Sequence, residues 1–274
     1  MNPFRIDAPT EESLNCFNRN GYIAFPDAMT DTFREALIDE ILSYNRINNF
    51  LSLSESERSQ LTHPTHFFER PWNNRGPLSD ALIDAPLIIN LLQQTIETDY
   101  HFCHSAINLA LAGAKRVPFH QDHHHWKHNN PVNISERNKF YIQILYYPNG
   151  FKHGDRSLCV IPGSHLVAPT PETTPEDLVS GKFDEDIGRK LEIVQLELPP
   201  GSFVYINARM FHGVDPKPVT SPQEYRIFLI DIFKQTGPPH RYTQEIPKEW
   251  IESANPYRKS LFNREPYTDN CWLN

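Results

Sequence analysis

From Phe102 onward the chain consists of short β-branched and aromatic runs punctuated by proline and glycine. That texture excludes long helices and a long parallel sheet, and it calls for many short strands joined by turns, as in a sandwich or barrel. The runs are Ser105 to Leu111, Val117 to Asp122, Phe140 to Tyr147, Leu158 to Ile161, Leu191 to Leu198, Ser202 to Asn207 and Tyr225 to Phe233. Most of the 24 prolines fall between them.

The first part of the chain reads differently. Thr10 followed by Glu11 and Glu12 marks a helix start, Leu14 and Phe17 share a face, and Gly21 ends the helix before a strand from Tyr22 to Phe25. A second helix begins at Asp31, with Phe33, Leu37, Ile41 and Leu42 at helical spacing. A third begins at Pro86 and carries Ile88, Leu91, Leu92 and Ile96. The length of 274 residues is nominally two domains, but β-sandwich and barrel enzymes often use it for one. We therefore read 1–274 as a single mainly β domain, with a helical part over 1–99, a β-core over about 100–235 and a tail over 236–274. The polar segment from Thr170 to Lys190 reads as a surface insertion, and the stretch from Ser54 to Pro77 as a variable loop.

Charge narrows the partners. Lysine plus arginine number 26 and aspartate plus glutamate 34, so the net charge is -8 and the field opposes polyanions; nucleic acid is not expected as a partner. No run approaches the ~18 apolar residues of a membrane span, and the N-terminus lacks a basic-then-apolar leader, so the expectation is a cytoplasmic protein away from membranes. Cys16, Cys103, Cys159 and Cys271 form no CxxC clip, and reduced thiols are expected.

The chemistry lies in the histidines. Seven of 13 fall between His101 and His128, and His123, His124, His125 and His128 among them read as a solvated loop. His120-Gln121-Asp122 is more informative: on a strand, residues i and i+2 project from one face, so an imidazole and a carboxylate can meet adjacent corners of one metal. His212, in Met210-Phe211-His212-Gly213, is the best third ligand, its glycine permitting close approach. Two histidines and one carboxylate make the facial triad of non-heme Fe(II), which leaves neighbouring positions open. Arg226 opens a later strand with Phe228, Ile230 and Ile232 on its face, so its guanidinium points into an apolar interior, where an anion should meet it. A structural ion pair with Asp231 is the bland alternative. 2-Oxoglutarate satisfies both features, chelating iron through its keto acid and placing its far carboxylate on Arg226.

These residues carry a resemblance. His120-Gln121-Asp122, the run Ile161-Pro162-Gly163-Ser164-His165, the His212-Gly213 turn, Arg226 and the opening Asn20-Gly21-Tyr22-Ile23 resemble the phytanoyl-CoA dioxygenase family over about residues 12–235. The resemblance implies a double-stranded β-helix (jelly-roll, cupin-like) core with N-terminal and flanking α-helices. It also implies an Fe(II)- and 2-oxoglutarate-dependent dioxygenase that consumes O2 and yields succinate and CO2, with ascorbate as an in vitro activator. Related halogenating enzymes have a small residue where this chain has Asp122, so hydroxylation of an unactivated C–H is the expected outcome. Ser105-Ala106-Ile107-Asn108 and Trp126 resemble the ectoine hydroxylase branch, which implies a cosubstrate contact for Asn108 and an active-site wall for Trp126; His104 would then face the substrate.

Gln143, on a strand facing the site, is read as a polar contact to cosubstrate or substrate, and His165 as a structural histidine capping its own turn. Two departures stand out: Val214 replaces the family's small hydroxyl residue two after the distal histidine, and the spacing to Arg226 is longer, through Pro216, Pro218 and Pro222. Two other readings stay open. His120-Gln121-Asp122-His123 is also part of a dinuclear zinc hydrolase motif, although Pro118 stands where a further histidine is needed; and a β-sandwich can bind a metal or ligand without turnover. The expected substrate is a small molecule, an amino acid derivative or a secondary-metabolite intermediate; oligomeric state is not legible.

Overall fold

The computed structural model describes residues 2–69, 76–96, 99–122, 141–167, 170, 172–235 and 252–261. Trp126, His123, His124, His125, His128, Phe140 and most of the tail fall outside them, as does the side chain of His104.

The first helix starts and stops where capping chemistry dictates. Helix α1 (Glu11–Asn20) opens with the Thr10 hydroxyl accepting from the Ser13 N–H at 3.1 Å and closes at Gly21, whose φ of 82° suits glycine. A side chain at Gly21 would also lie 2.6 Å from the His165 ring, so the position is restricted twice over. Strand β1 (Tyr22–Phe25), α2 (Asp31–Ser43), α3 (Asn45–Ser52), α4 (Glu55–Arg58), β2 (His66–Glu69), α5 (Pro77–Ile83) and α6 (Pro86–Thr95) follow. The stretch read as a variable loop thus contains a capped helix and a strand. Helix α5 has no side-chain cap of its own; Glu40 of α2 accepts from the N–H groups of Leu78 and Ser79 at 2.8 and 2.9 Å, a cap that local sequence cannot reveal.

The remaining strands are β3 (Tyr100–Leu111), β4 (Val117–His120), β5 (Tyr141–Tyr147), β6 (Leu158–Val160), β7 (Val194–Gln195), β8 (Ser202–Asn207), β9 (His212–Val214) and β10 (Tyr225–Gln235), with short helices at Pro175–Val179, Asp184–Ile187 and Pro256–Ser260. They form a six-stranded sheet ordered β1-β8-β5-β10-β3-β2 and a four-stranded sheet ordered β4-β9-β6-β7, both antiparallel. Several expected boundaries change: β3 begins at Tyr100 rather than Ser105, β6 ends at Val160 rather than Ile161, and β10 runs on to Gln235 rather than Phe233. The run from Leu191 to Leu198 is a strand only over two residues, because Leu191 packs with Ile161, Leu178 and Phe211 while Leu198 bridges to Phe151, so its ends serve different clusters. The run from Val117 stops at His120 rather than Asp122, at an irregular register.

Strand β5 is buried on both faces, which is why apart from Gln143 it reads as an apolar run. Ile142, Ile144 and Tyr146 face the helices and join the core of Phe33, Leu37, Ile41, Leu91 and Leu92; Leu145 and Tyr147 face the second sheet and meet Leu158, Val160, Val204 and Ile206. Helices therefore cover one face of the larger sheet, and the two sheets enclose a second core. This is the expected jelly-roll arrangement with helical cladding. Among the described residues no helix is long and apolar enough to cross a membrane.

Candidate active site

His120 and His212 are direct cross-strand partners in the antiparallel β4–β9 pair, so the sheet register itself brings their rings together, 4.4 Å between centroids. Gly213 makes this possible: a Cβ there would lie 3.0 Å from the Val117 carbonyl oxygen and 3.2 Å from the Phe119 nitrogen. Asp122 lies just past the end of β4, held by its N–H donating to the Ala208 carbonyl at 3.0 Å. Its Oδ2 is 3.2 Å from His212 Nε2 and its Oδ1 3.8 Å from His120 Nε2. Among the described residues these three are the one group of histidine, cysteine or acidic side chains whose donor atoms all fall within 4.8 Å of one another.

The donor chemistry fits a divalent ion. His120 Nδ1 pairs with the Pro118 carbonyl at 2.8 Å and His212 Nδ1 with the Met210 carbonyl at 3.0 Å. Carbonyls only accept, so each Nδ1 carries the proton and each Nε2 offers a lone pair to the common centre. Burial pushes the His120 pKa down, and neighbouring His212 adds to the effect. Burial opposes protonation of His212 too, but the Asp122 carboxylate against it outweighs that and raises its pKa; a cation here would replace that proton.

The Ile161-Pro162-Gly163-Ser164-His165 run has a structural task at this centre. The Phe211 N–H donates to Ser164 Oγ at 2.9 Å and the Ile161 N–H to the Phe211 carbonyl at 3.0 Å, fixing the backbone beside His212. His165 does not cap its own turn. Its Nε2 pairs with the Asn18 carbonyl at 3.2 Å, near the end of α1, and ties that helix to the turn.

A cavity of about 300 Å³ opens from the triad between the sheets. Arg226, Asn108 and Gln143 line it with His120, Asp122 and His212. Arg226 is 1% exposed, among the rings of Tyr147, Phe151 and Phe228 at 5.3 to 5.6 Å, and burial lowers its pKa to about 10. It forms no ion pair among the described residues; Nη1 donates to the Arg156 carbonyl and Nε has no hydrogen-bond partner. The alternative with Asp231 fails on geometry, since residues 226 and 231 point to opposite faces of β10. Gln143 lines the cavity, and its amide donates to Asp122 Oδ2 at 2.6 Å, orienting the carboxylate. Asn108 lines the cavity beside His66, with its Oδ1 buried.

Among the cavity residues that escaped sequence reading are two with a titratable or charged nitrogen, His66 and Arg156. His66 lies on β2 opposite Ala110; the alternation of His66 with Phe68 is a two-residue signal too short to stand out. Burial holds its pKa at about 4, with Asn108 pulling upward and the nearby Arg156 and Arg226 charges downward, so the imidazole is neutral. The unfolded chain therefore takes up a proton below about pH 6.5 that the folded protein refuses until about pH 4. Stability from this group is fully present above that window and lost as pH falls across it, by about 2 kcal/mol given its partial exposure. His66→Phe should flatten the fall in melting temperature between pH 6.5 and 4.5 relative to wild type; an unchanged slope would count against a neutral His66.

A family model described as phytanoyl-CoA dioxygenase matches residues 17–223. Among curated proteins, none matches by sequence. Among solved structures, EctD from S. alaskensis with bound Fe superposes with a TM-score of 0.64 at 15% identity, covering 91% of this chain and 87% of its own. HygX from Streptomyces hygroscopicus with nickel and 2-oxoglutarate bound gives 0.60 at 13%, covering 87% and 91%. SnoN, the non-heme alpha ketoglutarate dependent epimerase from nogalamycin biosynthesis, gives 0.57 at 13%, covering 82% of each chain. At these identities the likeness shows a shared fold.

Proposed function

The chain belongs to the phytanoyl-CoA dioxygenase family and is an Fe(II)- and 2-oxoglutarate-dependent dioxygenase, and from that premise we propose that it oxidises an unactivated C–H of a small molecule in the cavity above His120, Asp122 and His212. The observation that carries this reading is the convergence of the three donors at the same cavity that holds a buried arginine with no ion pair among the described residues. His120, Asp122 and His212 would hold the ferrous ion, which supplies the O2 chemistry and the oxidative decarboxylation of the keto acid to succinate and CO2. Arg226 grips the far carboxylate of 2-oxoglutarate, its fork suited to two parallel bonds. The Nδ1–H bonds to Pro118 and Met210 hold both imidazoles in the ligating tautomer, and Gln143 holds the carboxylate.

The apolar walls of Leu145, Phe228, Ile230 and Ile232 exclude water from the reacting carbon, and the modest volume suits a free small molecule such as an amino acid derivative or secondary-metabolite intermediate. HygX with hygromycin B bound and SnoN from nogalamycin biosynthesis, similar in fold, are consistent with a small-molecule substrate. The catalytic unit is read as one domain over 1–274.

Aerobic incubation with Fe(II), ascorbate and 2-oxoglutarate should release slow, uncoupled succinate that N-oxalylglycine suppresses, and a panel of small metabolites should identify the substrate by stimulated release. Absence of succinate from iron-loaded protein would overturn the reading in favour of ligand binding without turnover, whereas zinc-dependent ester cleavage would favour the hydrolase.

A further inference from the structure

Arg156 is the second buried guanidinium of the cavity, 1% exposed, and it stands on a backbone that resists it. Its φ is 60°, in the left-handed region that favours glycine, so a long cationic side chain is held there against local preference. Burial alone would disfavour the charge, and the nearby acids are already engaged. Asp155 pairs with Lys217 Nζ at 3.0 Å and with Ser221 at 2.6 Å, while Asp215 pairs with Arg116 at 3.1 Å and accepts from Gln195. Arg156 donates through Nη1 to the carbonyls of Lys115 and Asp215, and its Nε has no hydrogen-bond partner. Like Arg226, it forms no ion pair among the described residues. Tyr147 lies beside both guanidiniums; burial raises its phenol to about 12, and the two positive charges pull against that rise.

Two uncompensated guanidiniums in one apolar cavity call for an anion, and one position there is short of a donor. Val214, in β9 two residues after His212, lines the same cavity and offers no donor there. We propose that Arg156 is a second anchor for the cosubstrate, so that the far carboxylate of 2-oxoglutarate is held by a pair of arginines, Arg156 and Arg226. This inference rests on the cosubstrate reading above and assigns a binding residue within that site. Arg156 also ties the Lys115 and Asp215 backbones together, so its effect on binding must be separated from its effect on folding.

Calorimetry of nickel-loaded protein, which binds without turnover, makes that separation using two keto acids: 2-oxoglutarate, and 2-oxobutyrate, which lacks the far carboxylate. Arg156→Gly is compatible with the positive φ, and loss of one charge-assisted contact should weaken 2-oxoglutarate roughly 10- to 100-fold while leaving 2-oxobutyrate within about threefold. Arg156→Gly combined with Val214→Ser should recover part of the lost affinity, and Arg156→Lys should fall between wild type and glycine. Equal weakening of both keto acids would make Arg156 a structural tie and overturn the proposal, as would unchanged 2-oxoglutarate affinity in Arg156→Gly. If Arg156→Gly fails to fold, Arg156→Lys carries the same comparison. Failure of the wild-type protein to bind 2-oxoglutarate would instead overturn the cosubstrate reading itself.

Discussion

Replacing His120, Asp122 or His212 by alanine is expected to abolish 2-oxoglutarate turnover, lowering succinate formation by roughly 10³-fold or more, about 4 kcal/mol in the barrier. The three positions act as one unit. Each supplies one donor of a set that lies within 4.8 Å, and an ion left with two of them loses both affinity and orientation. The loss should also appear without catalysis, as weaker nickel binding by calorimetry. Folding should survive best in His120→Ala and Asp122→Ala, whose side chains are 39% and 27% exposed; His212, at 7%, is the one whose removal leaves a hole in the sheet interface. A variant that folds, binds metal normally and forms succinate at the wild-type rate would remove its residue from the ligand set.

Arg226→Ala should separate stability from function in opposite directions. The guanidinium is buried, has no carboxylate partner among the described residues, and is disfavoured enough by burial to bring its pKa to about 10. Removing an uncompensated buried charge is expected to leave the apoprotein equally stable or more stable by about 1 kcal/mol, offset in part by the cavity created. Removing the anchor should weaken 2-oxoglutarate by roughly 100-fold, about 3 kcal/mol, with little change in nickel affinity. Arg226→Lys should recover only part, because an ammonium cannot offer the paired fork. Chemical denaturation and calorimetry test the two halves separately. A structural ion pair would give the reverse pattern, a destabilisation of about 3–5 kcal/mol with cosubstrate affinity intact.

Local signals account for much of the fold. Thr10 and Gly21 delimit α1, Pro86 opens α6, and the burial of β5 on both faces appears as a run that is apolar apart from Gln143. The regions that were not legible depend on partners distant in sequence. Helix α5 is capped by a glutamate from α2, the segment from Leu191 to Leu198 divides its apolar residues between separate clusters, and β2 has only four residues. Gln143 was legible as facing the site, but its commitment to Asp122 depends on where β4 ends, and that end lies at an irregular register.

The amino-acid order by itself determined the chemistry available here: two imidazoles, a carboxylate and an arginine with apolar same-face neighbours, because side-chain identity and strand alternation are local properties. Only the tertiary structure decided that His120 would stand directly opposite His212, that Gly213 would let β4 approach so closely, and that Arg156 would enter the same cavity as Arg226. These follow from sheet register and from the packing of one sheet on the other, which sum contacts between residues far apart in the chain and leave no periodic trace in the sequence.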